Sequence, residues 1–470
     1  WRDVWKQRIE TAPFVLRDWA GHQSKDAYWR HASVSENYGA VQCPVYVIGG
    51  WADGYAAAAM RMAAGITSPK RVFVGPWAHT YPHIARPGPR MGFLQDATRW
   101  WDRWLKDMPN GIDAEDPIWL WMRGAAPPAQ DYEHRDGRWI SCDSWPGEGA
   151  AQELPLKFTE KTTGRFKSPL ISGVTGGEWL PHGVGPEMPL DQSLEEEGAL
   201  VLESEPLDQA LEICGAPVLK LRLACDSPTG HLIVRLSDVL PGGEATRVTY
   251  GVLNLIHRNG LGDPRPITPG EEMDVTVQLI DVAQRFEAGH RIRLSLATNA
   301  WPLIWPAPDA SALSADMDSI TLSLPVFRTH RTDAPTHPFE PPAVPGGWSI
   351  TMLKPVHRER TVETDPSTGR TTRTYLKDDG AYRIDENGIE VETCARQDYW
   401  IDGDDPLTAG GKIAVEIAIR RGDWRTSLRS ETILTSERDV WHVTSNLHAC
   451  EGDETIVRRH IDEMIPRKYS

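Results

Sequence analysis

Two hydrophobic periods run along the chain and change places near Asp116. Before it, apolar residues form short continuous runs and helical stripes. Pro44-Val45-Tyr46-Val47-Ile48-Gly49 is an apolar run closed by glycine, the pattern of a strand buried on both faces of a parallel sheet. The Ala- and Met-rich stretch from Asp53 to Ala64 predicts a helix, and Arg71-Val72-Phe73-Val74-Gly75 predicts a second buried strand. Leu94, Ala97, Trp101 and Trp104 follow helical spacing, as do Trp1, Trp5 and Ile9 near the start. Strand, helix, strand and helix at this density predict an α/β layer.

After Asp116 the period falls to two. Leu219, Leu221 and Leu223 alternate with Lys220 and Arg222; Leu232, Val234 and Leu236 alternate likewise, as do Met273, Val275, Val277 and Leu279. Ile292, Leu294 and Leu296 continue the series, and Ile320, Leu322 and Leu324 close it. Repeated half-buried antiparallel strands predict two packed sheets, a jelly-roll β-sandwich, with these alternating residues between them. The Gly/Pro-rich stretch around 160–190 reads as a long surface connection. Pro335 to Gly347, with five prolines and two glycines, reads as a linker. Beyond it Ile413, Val415, Ile417 and Ile419 alternate again, and Trp441-His442-Val443 suggests another strand. The expected organisation is the carboxyl-terminal part of an α/β domain over 31–115, a sandwich over 116–333 and a β-rich extension over 348–470.

Charge narrows the function. Lys and Arg total 50 against 66 Asp and Glu, a formal charge of −16 with no basic block, which argues against nucleic acid or an anionic membrane as partner. No apolar run approaches the roughly 20 residues a membrane helix needs. The chain starts at Trp1 with a pattern that reads as mid-domain, so an amino-terminal truncation is expected, with any leader upstream. Six widely spaced cysteines include no C-x-x-C pair, which argues against zinc-ribbon and redox readings. They fit buried thiols in a reducing compartment, and a cytoplasmic location is the expectation. Tryptophan is over-represented: of 20, ten fall within the first 119 residues. Most are expected to be packing anchors.

Two segments carry candidate chemistry. Gly49-Gly50-Trp51-Ala52-Asp53-Gly54-Tyr55 follows the first buried strand, and Gly75-Pro76-Trp77-Ala78-His79 follows the second. Ligands and catalytic groups of open α/β sheets gather beyond the carboxyl ends of the strands, where Asp53 and His79 both fall. A carboxylate beside a histidine fixes the imidazole tautomer and stabilises the imidazolium formed on proton transfer. Asp before His also matches the last two members of the α/β-hydrolase order Ser, Asp/Glu, His. Singly, each residue has a plainer explanation: Asp53 as a helix cap and His79 as a loop histidine bonded to backbone. Their shared placement and order favour the catalytic pair. No G-x-S-x-G elbow is present; Ser24 in Gly21-His22-Gln23-Ser24 and Ser349 in Gly347-Trp348-Ser349 lack its flanking pattern. His79 and His83 have the i, i+4 spacing of zinc histidines, but Pro82 between them argues against a helix and no Glu supplies a base. Asp402-Gly403-Asp404-Asp405 lacks the later Glu of a calcium loop.

At these residues the chain resembles the CocE/NonD family, the cocaine-esterase and X-prolyl dipeptidyl-peptidase-like serine hydrolases. Gly50-Trp51-Ala52-Asp53-Gly54 is similar to that family's G-W-x-D-G acid loop, and Gly75-Pro76-Trp77-Ala78-His79 to its G-P-W-x-H histidine loop. Arg235-Leu236-Ser237-Asp238-Val239 and Phe286 to Leu294 resemble strands of its jelly-roll module, and Asp404-Asp405-Pro406-Leu407 resembles a late motif of longer members. The resemblance implies that Asp53 is the triad acid and His79 the general base, with residues 1–30 the end of a helical cap. It also implies that the nucleophile serine and the oxyanion-hole tyrosine lie before the acid loop, outside this chain, leaving it inactive alone. The implied substrate is a small acyl ester or peptide, handled without metal or cofactor. Trp51, Tyr55 and Trp77 are then the candidates for an apolar pocket wall. The competing reading is a non-catalytic β-sandwich whose exposed tryptophans stack on carbohydrate.

Overall fold

The computed structural model describes residues 2–145, 150–154, 157–158, 164–328, 339–343 and 346–469. Trp1 and several positions of the expected linker, 335–338 and 344–345, lie outside the described residues. The architecture is a strand-rich α/β fold. Three short helices, α1 (Arg2–Thr11), α2 (Val15–Gly21) and α3 (Ala27–Arg30), precede the first strand.

The two apolar runs form β1 (Val45–Gly50) and β2 (Lys70–Gly75), paired in parallel from Val45 opposite Lys70 to Gly50 opposite Gly75. Between them α4 (Ala56–Gly65) buries Ala56, Ala59, Met60 and Ala63. Small residues bring it close to the sheet: a Cβ on Gly49 would lie 3.0 Å from that of Ala59. α5 (Phe93–Lys106) follows β2, and β3 (Ile118–Arg123) then adds to β2 in parallel. All six residues of β3 are buried. The change to antiparallel pairing therefore comes one strand later than the two-residue period starting at Asp116 suggested, because β3 is covered on both faces and has no polar side to alternate.

A buried ion network ties α5 to this sheet. Arg71, 2% exposed, donates to Asp96 at 2.8 and 2.6 Å and to Glu115 at 2.8 Å, while the Tyr46 hydroxyl donates to Asp96 at 2.7 Å. Burial opposes charge on Arg71, but its bonds to Asp96 outweigh this and hold its pKa above the ordinary value.

β3 pairs antiparallel with Gly137–Cys142, and a single bridge between Arg123 and Gln284 joins it to the strand Val282–Phe286. Through that bridge the parallel strands continue into a 12-stranded sheet, with β1 at one end. A five-stranded antiparallel sheet, including His231–Val239, Ala245–Asn254 and Arg291–Ala297, shares a core with it. Leu219, Leu221, Leu223, Leu232, Val234, Leu236, Val275, Val277, Ile292, Leu294 and Leu296 are each at most 3% exposed in that core, as their alternation predicts.

Residues 164–196 differ from the expected surface connection. Ser168, Leu170, Ser172, Glu187, Met188 and Glu195 are buried. The segment can pack inside because buried carboxylates satisfy its backbone: Glu195 accepts from Gly173 N and from Thr175 N, the latter at 2.9 Å.

Beyond the linker region, eight strands from Ile350–Lys354 to Glu454–Pro466 form one antiparallel sheet. Its Ile401 and Ala409 pack on Leu170 and Trp301, and the Trp305 indole donates to Ser436 Oγ at 3.0 Å. Helices α1 and α2 dock on the far end of this sheet. Trp5 meets Trp424 edge-on at 6.3 Å, Lys6 pairs with Glu451 at 2.8 Å, and Arg17 pairs with Glu463. The six cysteines are free.

Candidate active site

The acid and histidine loops leave β1 and β2 side by side, and glycines set their spacing. A Cβ on Gly50 would fall 2.0 Å from the Trp77 carbonyl oxygen, so only glycine allows this approach. The loops are stitched by Trp51 N to Gly75 O at 2.9 Å and Ala52 N to Trp77 O at 3.1 Å.

Asp53 and His79 meet across this seam. Asp53 Oδ2 lies 2.9 Å from His79 Nδ1, within the reach the motif placement implies. The other oxygen, Oδ1, accepts from Tyr55 N at 2.9 Å at the entry to α4. One oxygen of Asp53 thus holds the histidine and the other closes a turn; the helix-cap role is not filled, because α4 starts from Tyr55 and has no side-chain cap. The Asp53 side chain is 12% exposed and that of His79 45%. Among the described residues His79 Nε2 has no hydrogen-bond partner, so Nδ1 is held while Nε2 remains available for proton transfer.

The three aromatic candidates separate. Tyr55 is exposed, with its ring centroid 5.9 Å from that of His79. Trp51 is buried, lines a cleft beside Asp53, and donates its indole N–H to Trp121 O at 2.8 Å. Trp77 is a correction: it is 1% exposed in the core, 5.9 Å from Trp139, and donates to Pro89 O at 2.7 Å. Its indole fills the space that Gly75 leaves, where a Cβ would lie 2.3 Å from the ring. It supports the histidine loop from beneath and does not line the cleft. Ser349 donates to Asp385 in the carboxyl-terminal sheet, and neither Ser24 nor Ser349 bonds His79. His83 sits in a turn, without helical geometry.

A third segment completes the site and was not legible in the sequence. Residues 178–189 pass over the pair: Pro181 O accepts from His79 N at 2.8 Å, and the His182 ring lies 5.7 Å from that of His79. Trp179 stands edge-on to Tyr55 at 5.3 Å and closes over Gly54, where a Cβ would lie 2.8 Å from its ring. Burial first, then the charge of Lys377, holds the His182 pKa below the ordinary imidazole value. Glu187 ties the segment down: one oxygen accepts from the amides of His182, Gly183 and Val184 at 2.7, 2.8 and 3.2 Å, and the other from Tyr375 Oη at 3.1 Å. Arg373 pairs with Glu178, and Arg360 donates to Met188 O at 3.1 Å. Three residues of the carboxyl-terminal sheet thus hold the segment that covers the acid–histidine pair. No motif links these positions, which are some 195 residues apart at Arg373 and Glu178.

Two known families match parts of the chain. Residues 1–81 match the X-Pro dipeptidyl-peptidase (S15) family, and residues 110–338 match the X-Pro dipeptidyl-peptidase C-terminal non-catalytic domain. These matches support the resemblance to the CocE/NonD family of serine hydrolases. It is 27% identical over 342 residues to a Mycobacterium bovis protein whose name provisionally places it among the serine esterases, covering 64% of this chain and 52% of that one. It is 23% identical over 367 residues to the cocaine esterase of a Rhodococcus species, covering 69% of this chain and 60% of that one. The chain thus spans little more than half the length of these curated relatives. A solved α-amino acid ester hydrolase superposes with a TM-score of 0.53 at 18% identity, over 68% of this chain and 61% of that one, a likeness of fold.

Proposed function

We propose that the chain contributes the acid and general base of a serine-dependent hydrolase of carboxylic esters or amides, X-prolyl and amino-acid ester substrates included. The observation that carries this is the 2.9 Å bond from Asp53 to His79 Nδ1, with Nε2 unpartnered at the carboxyl ends of two parallel strands. In this reading a serine from sequence beyond these residues attacks the carbonyl carbon. His79 Nε2 takes its proton and returns it to the departing alkoxide or amine, and Asp53 stabilises the imidazolium between the two steps. Water repeats the sequence on the acyl-enzyme. Tyr55 and Trp179 supply the apolar flank on which an acyl group rests. The two-sheet module is read as a jelly roll that buttresses the pair and takes no chemical part.

Turnover of p-nitrophenyl acetate tests this. The 470-residue chain is expected at background, and a protein that also carries the upstream sequence is expected to turn over and to lose turnover on His79→Ala. Full activity of the His79→Ala protein would end the proposal.

A further inference from the structure

Asp53 and His79 close the ends of β1 and β2; the third strand in the row, β3, ends on Arg123. Beside Asp53 a cavity of about 100 Å³ is lined by Trp51, Arg123, Tyr132, Arg135, Arg247 and Asp281 among others. Arg123 and Arg135 are 7% and 8% exposed. Each spends one terminal nitrogen on a carbonyl, Arg123 on Val248 O at 3.0 Å and Arg135 on Gly124 O at 3.3 Å. Their Nε atoms are buried and have no partner among the described residues. Neither guanidinium pairs with a carboxylate among the described residues. Three other buried arginines do pair with carboxylates: Arg71 faces Asp96 at 2.6 Å, Arg235 faces Glu195 at 3.7 Å, and Arg373 pairs with Glu178. Two unpaired buried cations in one place are costly unless an anion joins them.

Arg135 lies over the Tyr132 ring at 4.7 Å, as Arg247 lies over Tyr250 at the same distance, but Arg247, which donates to Gly176 O at 2.9 Å, leaves no buried nitrogen without a partner among the described residues. Of the carboxylates nearby, Asp53 holds His79, Glu178 holds Arg373, and Asp238 holds His290 at 2.8 Å through one oxygen while its other is buried without a partner among the described residues; burial pushes Asp281 up to about 6, which leaves it mostly charged at neutral pH, and none of the four makes an ion pair with Arg123 or Arg135. Burial, and then repulsion by Arg135, bring Arg123 down to about 9, so it is still charged at neutral pH.

We propose that Arg123 and Arg135 form a subsite for the carboxylate of an acidic substrate, one strand along the sheet from the His79 loop. A planar guanidinium fits a carboxylate with two parallel bonds. The three carboxylates on the cavity wall, Asp53, Glu178 and Asp281, disfavour a second negative charge and so select a monoanion over a phosphate dianion. That the carboxylate belongs to a hydrolysed substrate rests on the acyl-hydrolase reading; the anion site itself does not.

The test therefore uses binding, without turnover. Acetate and inorganic phosphate are titrated calorimetrically into the chain at fixed ionic strength, alongside Arg123→Gln and Arg135→Gln. Saturable acetate binding is expected, weakened at least tenfold in either variant and tighter than phosphate binding. In the unaltered protein acetate should also raise the melting temperature where equimolar chloride does not, a readout that stands if a variant fails to fold. Absence of saturable binding, binding indifferent to both substitutions, or preference for phosphate would overturn the assignment. Acetate binding in a protein whose His79→Ala form, with the upstream sequence, keeps its esterase activity would leave the subsite standing and remove the hydrolase reading.

Discussion

Glu187 is the most consequential side chain outside the acid–histidine pair. One of its oxygens accepts three successive amides, His182, Gly183 and Val184, and the residue is 3% exposed. Glu187→Ala removes all three acceptors at once. A bond to a charged acceptor contributes about 1.5–3 kcal/mol, so three amides that stayed buried would lose about 4–5 kcal/mol even at the low end of that range. Opening the loop lets the freed amides meet water, so the loss falls on local rather than global stability and is nearer 3 kcal/mol. At about 1.4 kcal/mol per factor of ten, the amides of residues 182–184 should exchange roughly a hundredfold faster. Hydrogen exchange read peptide by peptide checks this. Tyr375→Phe, which removes only the 3.1 Å bond to the other oxygen, should produce a few-fold change at most. Unchanged protection of 182–184 in Glu187→Ala would mean that the carboxyl-terminal sheet holds the loop by some other contact and that Glu187 is incidental.

Asp96→Asn should destabilise the parallel-sheet region by about 3 kcal/mol, since Arg71 is left buried with only the half-exposed Glu115 as counter-charge; urea unfolding followed by tryptophan fluorescence reads it, and a loss under 1 kcal/mol would contradict the network's role. Asp281 titrates near 6 in the folded chain against about 4 unfolded, because burial disfavours its charge. The raised value means no stability penalty below pH 4 and a growing one as pH rises through 6. Asp281→Asn should therefore leave the melting temperature unchanged at pH 4 and raise it at pH 7, by about 1–2 kcal/mol of stability after allowance for its partial exposure; the same shift at both pH values would refute the titration argument. Gly50→Ala should disrupt both loops, because its Cβ would strike the Trp77 carbonyl at 2.0 Å; loss of the two-dimensional NMR correlation of the His79 ring to its native position is the readout.

The sequence was legible where period and burial coincide. The continuous runs at Val45 and Arg71 gave parallel strands, and alternating leucines gave the shared core of two sheets. Asp53 and His79 were legible because strand ends concentrate chemistry, and motif order fixed their partnership. Trp77 misled because a tryptophan in a loop at a strand end reads the same whether it faces outward or inward; Gly75, which makes room for it, was the available signal. Residues 164–196 looked like surface because glycine and proline mark turns, whereas the carboxylates that let those turns be buried lie far along the chain. Arg123 was invisible for a related reason: an arginine ending an apolar strand looks like a polar boundary until its missing partner is seen. Arg373, Tyr375 and Arg360 reach the site only through tertiary contact.

In the proposed hydrolase His79 serves a serine supplied from sequence beyond these residues. Fluorophosphonate labelling with mapping of the modified peptide tests it most directly, in a protein that carries the upstream sequence together with these 470 residues. A single labelled serine upstream of Trp1 is expected, with labelling slowed by orders of magnitude in His79→Ala and none in the 470-residue chain alone. A label on a serine within the chain itself, or upstream labelling at an undiminished rate without His79, would contradict it.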